Sequence, residues 1–588
     1  MNKTKDDVNL HKETDDSVIL CPACSTTADR GGDVVGCDGV CGKWFHVTCL
    51  SEGDQAVGDG YWYCSSCYGK EAFPGFPSFV KTADSTPATW GLLKGPFIKE
   101  TFGNAYDEII KWKKNLFKVP SGAQGKAYVK ATSKVINYYV NNSPLQNVAM
   151  TALMVMPALL LQKPSKRSKT KDHIRHLEDR LKLWEKGDIK GLIKEGKAIQ
   201  KRITSSKFTP QHTHKVFSKL MLQGKVSAAL RWVTNKAGGL LEPTPETIKL
   251  LESKHPDPQP EESFLVSSLL SKVGLEKVDN VIFENIDIEA IQKAAKNTNG
   301  SAGPSGLDSD GWQRILCSKS FKTCGAELCE SVALLTRKLC TELVDPDPLA
   351  SFISCRLIPL DKNPGVRPIG IGEVLRRIIG KSVTTLLKPE ILAATAPLQA
   401  SAGLEGGVEA AIHALRTMYE DEDTHGILLV DADNAFNRLN RRVALHNTSV
   451  MCPELYKYLV NTYRKAAKLY IPNSKGLFIL SQEGTTQGDN CASAFYSCSL
   501  MPLLDKLPTE PPDISPVVCE NTKPPQKPPE ENNKIETPPD TTPDRTPEVN
   551  KPFNKAAKHI WFADDSGAAG RLKALKIWWD TLLASGPV

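Results

Sequence analysis

At 588 residues the chain is too long for one core, and at ~150 residues per domain it accommodates roughly three to four, which excludes a single small binding module. Apolar residues at 40% and charged residues at 24% are ordinary globular usage and exclude a wholly disordered or fibrous protein. The net charge of +7 is mild, but Lys163 to Lys225 holds 18 basic and 6 acidic side chains, a local +12 that leaves the remainder near −5 (7 − 12). A polyanionic partner is therefore expected.

The first residues, MNKTKDDVNL, are polar and charged, so residues 1–20 read as a disordered tail and secretion is not expected. The thiols then belong to a reducing compartment, and 16 cysteines argue for metal or free thiols rather than disulfides. Seven of them lie between Cys21 and Cys67, in the order Cys21-x2-Cys24, Cys37-x3-Cys41, His46-x2-Cys49, Cys64-x2-Cys67. Two intervening residues let both thiolates reach one tetrahedral ion, and eight ligands make two closed structural zinc sites. So short a segment buries little apolar surface, so metal must supply much of its folding free energy.

This order, with Trp62 two residues before Cys64, resembles the PHD finger family over residues 21–68. The resemblance implies a cross-brace, with Cys21, Cys24, His46 and Cys49 on one ion and Cys37, Cys41, Cys64 and Cys67 on the other. It also implies a histone tail as a partner, with Trp44 matching one wall of a methyl-lysine cage. Val34 and Val35 stand where further aromatic walls would be needed.

Residues 69–240 read as a basic helical region. YDEIIKWKKNLF, YVKATSKVINYYV and the long run from His173 to Ile203 repeat apolar residues every three to four positions. The apolar run Val148 to Leu161, containing Pro157, is too short to span a bilayer and reads as a buried helix. No membrane partner is expected. Lys163 to Lys171 could serve as a nuclear import signal, giving a nuclear location with the cytoplasm as a second. Residues 241–262 are proline-rich and acidic, a natural linker. Pro508 to Pro552 holds 13 of the 40 prolines and reads as a disordered insertion alternating polyproline-II with coil. Cys317, Cys324, Cys329 and Cys340 lack paired metal spacing and read as reduced thiols on helices.

Gly426 to Val430 is an aliphatic run that ends at Asp431, and His559 to Ala563 leads into Asp564-Asp565. Each reads as a buried strand delivering acid at its C-terminal end. Gathered carboxylates repel unless cations neutralise them, and hard oxygen donors favour magnesium. Two such ions ~3.5–4 Å apart support in-line phosphoryl transfer.

With its neighbours in order, this set resembles the reverse transcriptases of non-LTR (LINE-type) retrotransposons over roughly residues 280–588. SAGPSGLDSDGW lies ahead of the fingers, LIPLDKNPGVRPIGIGEVLRRIIGK is similar to the fingers, and LLVDADNAFNRLN, EGTTQGDNCASAFYS and WFADD are similar to motifs A, B and C. The resemblance implies metal binding by Asp431 and Asp564, with Asp565 completing the catalytic acids. It implies Phe436 as the steric gate against a 2′-hydroxyl, Arg367 and Lys362 near the incoming triphosphate, and Gln487 and Gly488 at the motif B turn. RNA template, DNA primer and dNTPs are the implied partners, and two structural Zn2+ with catalytic Mg2+ the implied cofactors.

The expected architecture is multidomain: a zinc-stabilised finger, a mostly helical basic middle, then α+β right-hand fingers and palm over 263–588. Val588 lies 23 residues past Asp565, so a complete thumb is not expected. Function divides between an RNA-directed DNA polymerase with a chromatin- or protein-binding finger, and an inert histone-tail-binding protein carrying a polymerase remnant.

Overall fold

The computed structural model describes residues 34–36, 44–46, 49, 96–165, 167–203, 210–222, 224, 226, 229–230, 240–260, 278–362, 365–508 and 556–585. The expected tail, Trp62, most of the proline-rich insertion, and Cys21, Cys24, Cys37, Cys41, Cys64 and Cys67 lie outside them. The chain divides into two compact units, Met1–Ala83 and Asp84–Val588.

In the first unit β1 (Val34–Gly36) pairs antiparallel with β2 (Trp44–His46), Val34 facing His46.

The second unit begins with α1 (Pro96–Ile110), α2 (Ala123–Val140), α3 (Gln146–Leu160), α4 (Thr170–Glu185), α5 (Ile189–Ile203) and α6 (Pro210–Leu222). Of YDEIIKWKKNLF only the YDEII part is helical, because the chain then turns and Leu116 bridges to Gln162. The buried α3 carries Pro157 and matches the expected apolar helix. Among the described residues no helix is long and apolar enough to cross a membrane. The run from His173 to Ile203 is two helices, α4 and α5, since Gly187 between them has φ +74°. Arg180 on α4 is only 1% exposed. It donates to the carbonyls of Leu160 (3.0 Å) and Gln162 (2.6 Å) and pairs with Glu195 on α5, so this member of the basic cluster is a structural tie.

Residues 241–260 are more than a spacer. Thr244 caps α7 (Pro245–Ser253), its hydroxyl accepting from Thr247 N at 3.3 Å. Leu251 is fully buried, packing with Leu241 and Ile248 against Cys355, Leu357, Val366 and Leu469. Proline-rich composition hid these apolar anchors. Farther on come α8 (Ile288–Lys296), α9 (Ser309–Cys317) and α10 (Lys322–Thr341). Ser133 on α2 and Ser331 on α10 share a 2.6 Å hydrogen bond, so helices on either side of the expected linker pack in one unit. Cys317, Cys324, Cys329 and Cys340 are free thiols on α9 and α10.

The remaining elements are α11 (Ala350–Ile353), β3 (Cys355–Asp361), β4 (Val366–Gly372), α12 (Val374–Leu386), α13 (Lys388–Thr395), α14 (Gly407–Glu420), β5 (Gly426–Asp431), α15 (Ala435–Arg438), α16 (Arg441–Met451), α17 (Pro453–Tyr463), β6 (Ala467–Tyr470), β7 (Phe478–Ser481), α18 (Ala492–Leu504), β8 (Lys558–Phe562), β9 (Asp565–Gly570) and α19 (Leu572–Ser585). They build a mixed sheet, β4-β3-β6-β7, and an antiparallel one, β5-β9-β8.

The smaller sheet is covered on one face by α18 and α19, with Met501, Leu504 and Trp578 against Trp561 and Ala568. On the other face, Met418 and Leu415 of α14 cover Ile560 and Ala569. The expectation of a buried first strand is corrected here. Leu428 and Val430 pack inward on the α18–α19 side, but Leu429 is 70% exposed. β5 is the edge strand, and its cross-strand partners Ile427–Ala569 and Leu429–Gly567 put its outer residues on the face where α14 stands over β8 and β9. Leu507 and Ala557, which bracket the insertion, lie in the same buried cluster.

Candidate functional site

Three carboxylates reach one end of the smaller sheet. In the antiparallel register Asp431 of β5 stands directly opposite Asp565 of β9, which sets their Cα atoms ~4.5–5.5 Å apart. Phe562 also faces Asp565, so Ala563 and Asp564 form the two-residue connection between β8 and β9. Burial first, and then the charges of Asp565 and Asp431, push the Asp564 carboxyl above the usual range; a hydrogen bond to its own backbone and the Lys362 ammonium oppose this. Among the described residues no three acidic, histidine or cysteine side chains close into a ready-made metal ligand set. The strands thus bring the acids to one rim without caging a point.

The tight connection is held from outside. Ala563 has φ +57°, the left-handed region that a side chain rarely adopts. Gln399, 2% exposed, accepts from Ala563 N at 2.7 Å and donates to Ala563 O at 3.1 Å. Nothing in APLQASAG marks this amide by pattern. Its only sequence trace is a polar residue in an otherwise small and apolar run.

Phe436 on α15 stacks on Tyr496 of α18 with centroids 4.7 Å apart and planes 17° from parallel. Burial, then the charge of Asp564, raise the Tyr496 hydroxyl pKa, so this ring pair borders the acids. Lys362, at the β3–β4 turn, is exposed and donates its backbone N–H to Gly365 O at 3.1 Å. It is the cation felt at Asp564. Arg367 is exposed on β4, opposite Leu360. The hairpin thus brings the Lys362 ammonium into electrostatic reach of Asp564.

Gln487 and Gly488 belong to a turn docked on β4. Gly370 N donates to Gln487 O at 3.0 Å. Gly488 has φ +102°, and a Cβ there would meet Gly370 O at 2.8 Å, so both conformation and approach require glycine. Next to it Asp489 pairs with the buried Arg376, which lies over the Tyr463 ring at 5.2 Å. Behind the turn, the buried Arg441 donates to the carbonyls of Gly484 (2.9 Å), Ser481 (3.0 Å) and Glu483 (2.7 Å). A strap from α7 crosses the Asp431 loop, where Lys254 pairs with Asp433 at 3.2 Å and its carbonyl accepts from Asn434 Nδ2 at 2.9 Å. No pattern in residues 241–260 marks this strap.

In the finger unit His46 is 8% exposed, and its Nδ1 lies 3.9 Å from Cys49 Sγ. Ligands of one tetrahedral zinc, with Zn–S ~2.3 Å and Zn–N ~2.0–2.1 Å, sit roughly 3.6 Å apart. The pair therefore suits a shared ion. Residues 21–67 match the family model described as PHD-finger. The chain accordingly carries a PHD finger at residues 21–67, a fold built on structural zinc.

Proposed function

We propose that residues 263–588 are the fingers and palm of an RNA-directed DNA polymerase, extending a DNA primer on an RNA template with dNTPs. The observation that carries this reading is the register that sets Asp431 against Asp565, with Asp564 in the adjoining turn. These acids come from motifs more than 130 residues apart.

Their donor chemistry, hard carboxylate oxygen at one solvent-facing rim, fits magnesium. Divalent cations held by Asp431 and Asp564 would activate the primer hydroxyl and neutralise charge on the departing pyrophosphate. Lys362 lends positive charge on the fingers side, where a triphosphate would lie. The Phe436 ring, backed by Tyr496, would be the group that crowds a ribose 2′-hydroxyl. Gly488 docks the motif B turn against β4, and in this reading that turn would lie beside the templating base. The exposed lysines of α2, including Lys130 and Lys134 beside a cavity of ≈ 360 Å³ shared with Asn137 and Tyr138, add to the basic surface a nucleic-acid partner would require.

PHD fingers commonly bind histone tails, which supports a chromatin- or protein-directed role for residues 21–67 and a nuclear location. A second reading, an inert histone-tail-binding protein with a polymerase remnant, draws support from the match of residues 21–67 to the PHD-finger family. Primer extension by the full chain, with and without Asp564→Ala, separates the two. Magnesium-dependent incorporation abolished by the substitution supports the polymerase; histone-peptide binding without incorporation selects the remnant.

A further inference from the structure

Asp564 lies in the turn beside the Asp431–Asp565 pair, and that turn is held by a residue that forms no part of the acid motifs. The β8–β9 connection has only two residues, and such hairpins favour glycine or asparagine where φ is positive. Here the position is alanine, with φ +57°. A strained turn carrying repelling carboxylates would relax unless its surroundings over-determine it. The segment before α14 does this. Leu398 O accepts from Trp561 N at 2.8 Å, and Ala400 N donates to Trp561 O at 2.8 Å, which lays Gln399 alongside β8 as a parallel bridge. From that backbone the Gln399 amide reaches forward and satisfies both the N–H and the carbonyl of Ala563. The donor and acceptor ends cannot be exchanged without opposing like groups. Two residues later, Ser401 Oγ and Ser497 Oγ share a 2.8 Å hydrogen bond, tying the clamp to α18 beside Tyr496.

We propose that Gln399 is a positioning residue, clamping Ala563 so that Asp564 is held beside Asp431 and Asp565 for divalent-cation binding. The assignment rests on the polymerase reading for its consequence, and on the turn geometry for its substance. It is distinct from a packing role, because the amide's partners are the two peptide groups of the strained residue.

The test uses the full chain. Gln399→Met keeps the length and bulk of the side chain and removes both hydrogen bonds. Manganese, read by electron paramagnetic resonance, is the metal probe. Gln399→Met should weaken Mn2+ binding roughly 10- to 100-fold, as loss of residues orienting metal ligands does, and lower kcat for incorporation while KM for dNTP changes little. Ala563→Gly accepts positive φ without strain, so added to Gln399→Met it should recover most of the lost urea midpoint. Wild-type Mn2+ affinity in Gln399→Met overturns the proposal. If the wild-type chain binds no Mn2+, the acid-site reading fails by itself, and the rescue experiment still decides the clamp: no recovery by Ala563→Gly overturns it.

Discussion

Lowering the pH should destabilise the larger unit through one histidine under the smaller sheet. His559 is 0% exposed. Its Nδ1 accepts from Trp578 Nε1 at 2.9 Å and from Trp561 Nε1 at 3.3 Å, and burial alone lowers its pKa from 6.5 to about 4. Only the neutral ring can accept at Nδ1; the imidazolium would set N–H against both indoles. Between those two pKa values the unfolded chain binds a proton that the folded chain refuses. Stability from this residue is therefore intact above pH 6.5 and falls as pH drops toward 4. At ~1.36 kcal/mol per unit over roughly 2.5 units, the loss approaches about 3 kcal/mol. Asp564 acts in the opposite sense: its carboxyl is held high by burial and by its acidic neighbours, so acidification relieves a cost there. The two effects separate by difference. His559→Asn retains an acceptor near the Nδ1 position and does not titrate. Urea unfolding of both proteins from about pH 7.5 to 4 should give curves that diverge below pH 6.5, the wild type falling faster. Parallel curves would show that His559 protonation does not drive the acid loss.

Three further outcomes follow from particular contacts. Gly488→Ala meets Gly370 O and an unsuitable φ, and should lose about 2 kcal/mol in urea unfolding; an unchanged midpoint contradicts the assigned turn. Chelation of zinc from the full chain should open residues 21–67 to protease while the helical circular-dichroism signal of residues 84–588 persists, and a finger that stays resistant argues against metal-dependent folding. Phe436→Val should raise the ratio of ribonucleotide to deoxynucleotide incorporation roughly 10- to 100-fold; an unaltered ratio leaves Phe436 as packing for Tyr496.

The acids stood out because Asp431 and Asp564 each follow a short apolar run, a local pattern, and the PHD finger because its cysteine and histidine order is set within residues 21–67. Their convergence was not legible in the same way. That Asp431 lies opposite Asp565 depends on pairing β5 with β9, a contact across more than 130 residues that no window detects. The exposed Leu429 shows the same limit, since an aliphatic run reads as buried whether the strand is central or at an edge. In residues 241–260 proline and acid masked Leu251 and Ile248, whose burial depends on the β3–β4 hairpin beneath them. Lys362 is one cation among many in the sequence, and only the turn between β3 and β4 brings its charge to Asp564. Gln399 had no pattern at all, because its role is to satisfy two peptide groups far along the chain.

Whether Asp431 and the Asp564–Asp565 turn act together on a shared cation is decided by titrating magnesium into single-nucleotide incorporation on an RNA template. Wild type and Asp431→Asn should be compared. Saturable magnesium dependence is expected in the wild type, and a loss of at least roughly 100-fold in the variant at every magnesium concentration. Incorporation by Asp431→Asn at the wild-type rate and with the same magnesium requirement would contradict it.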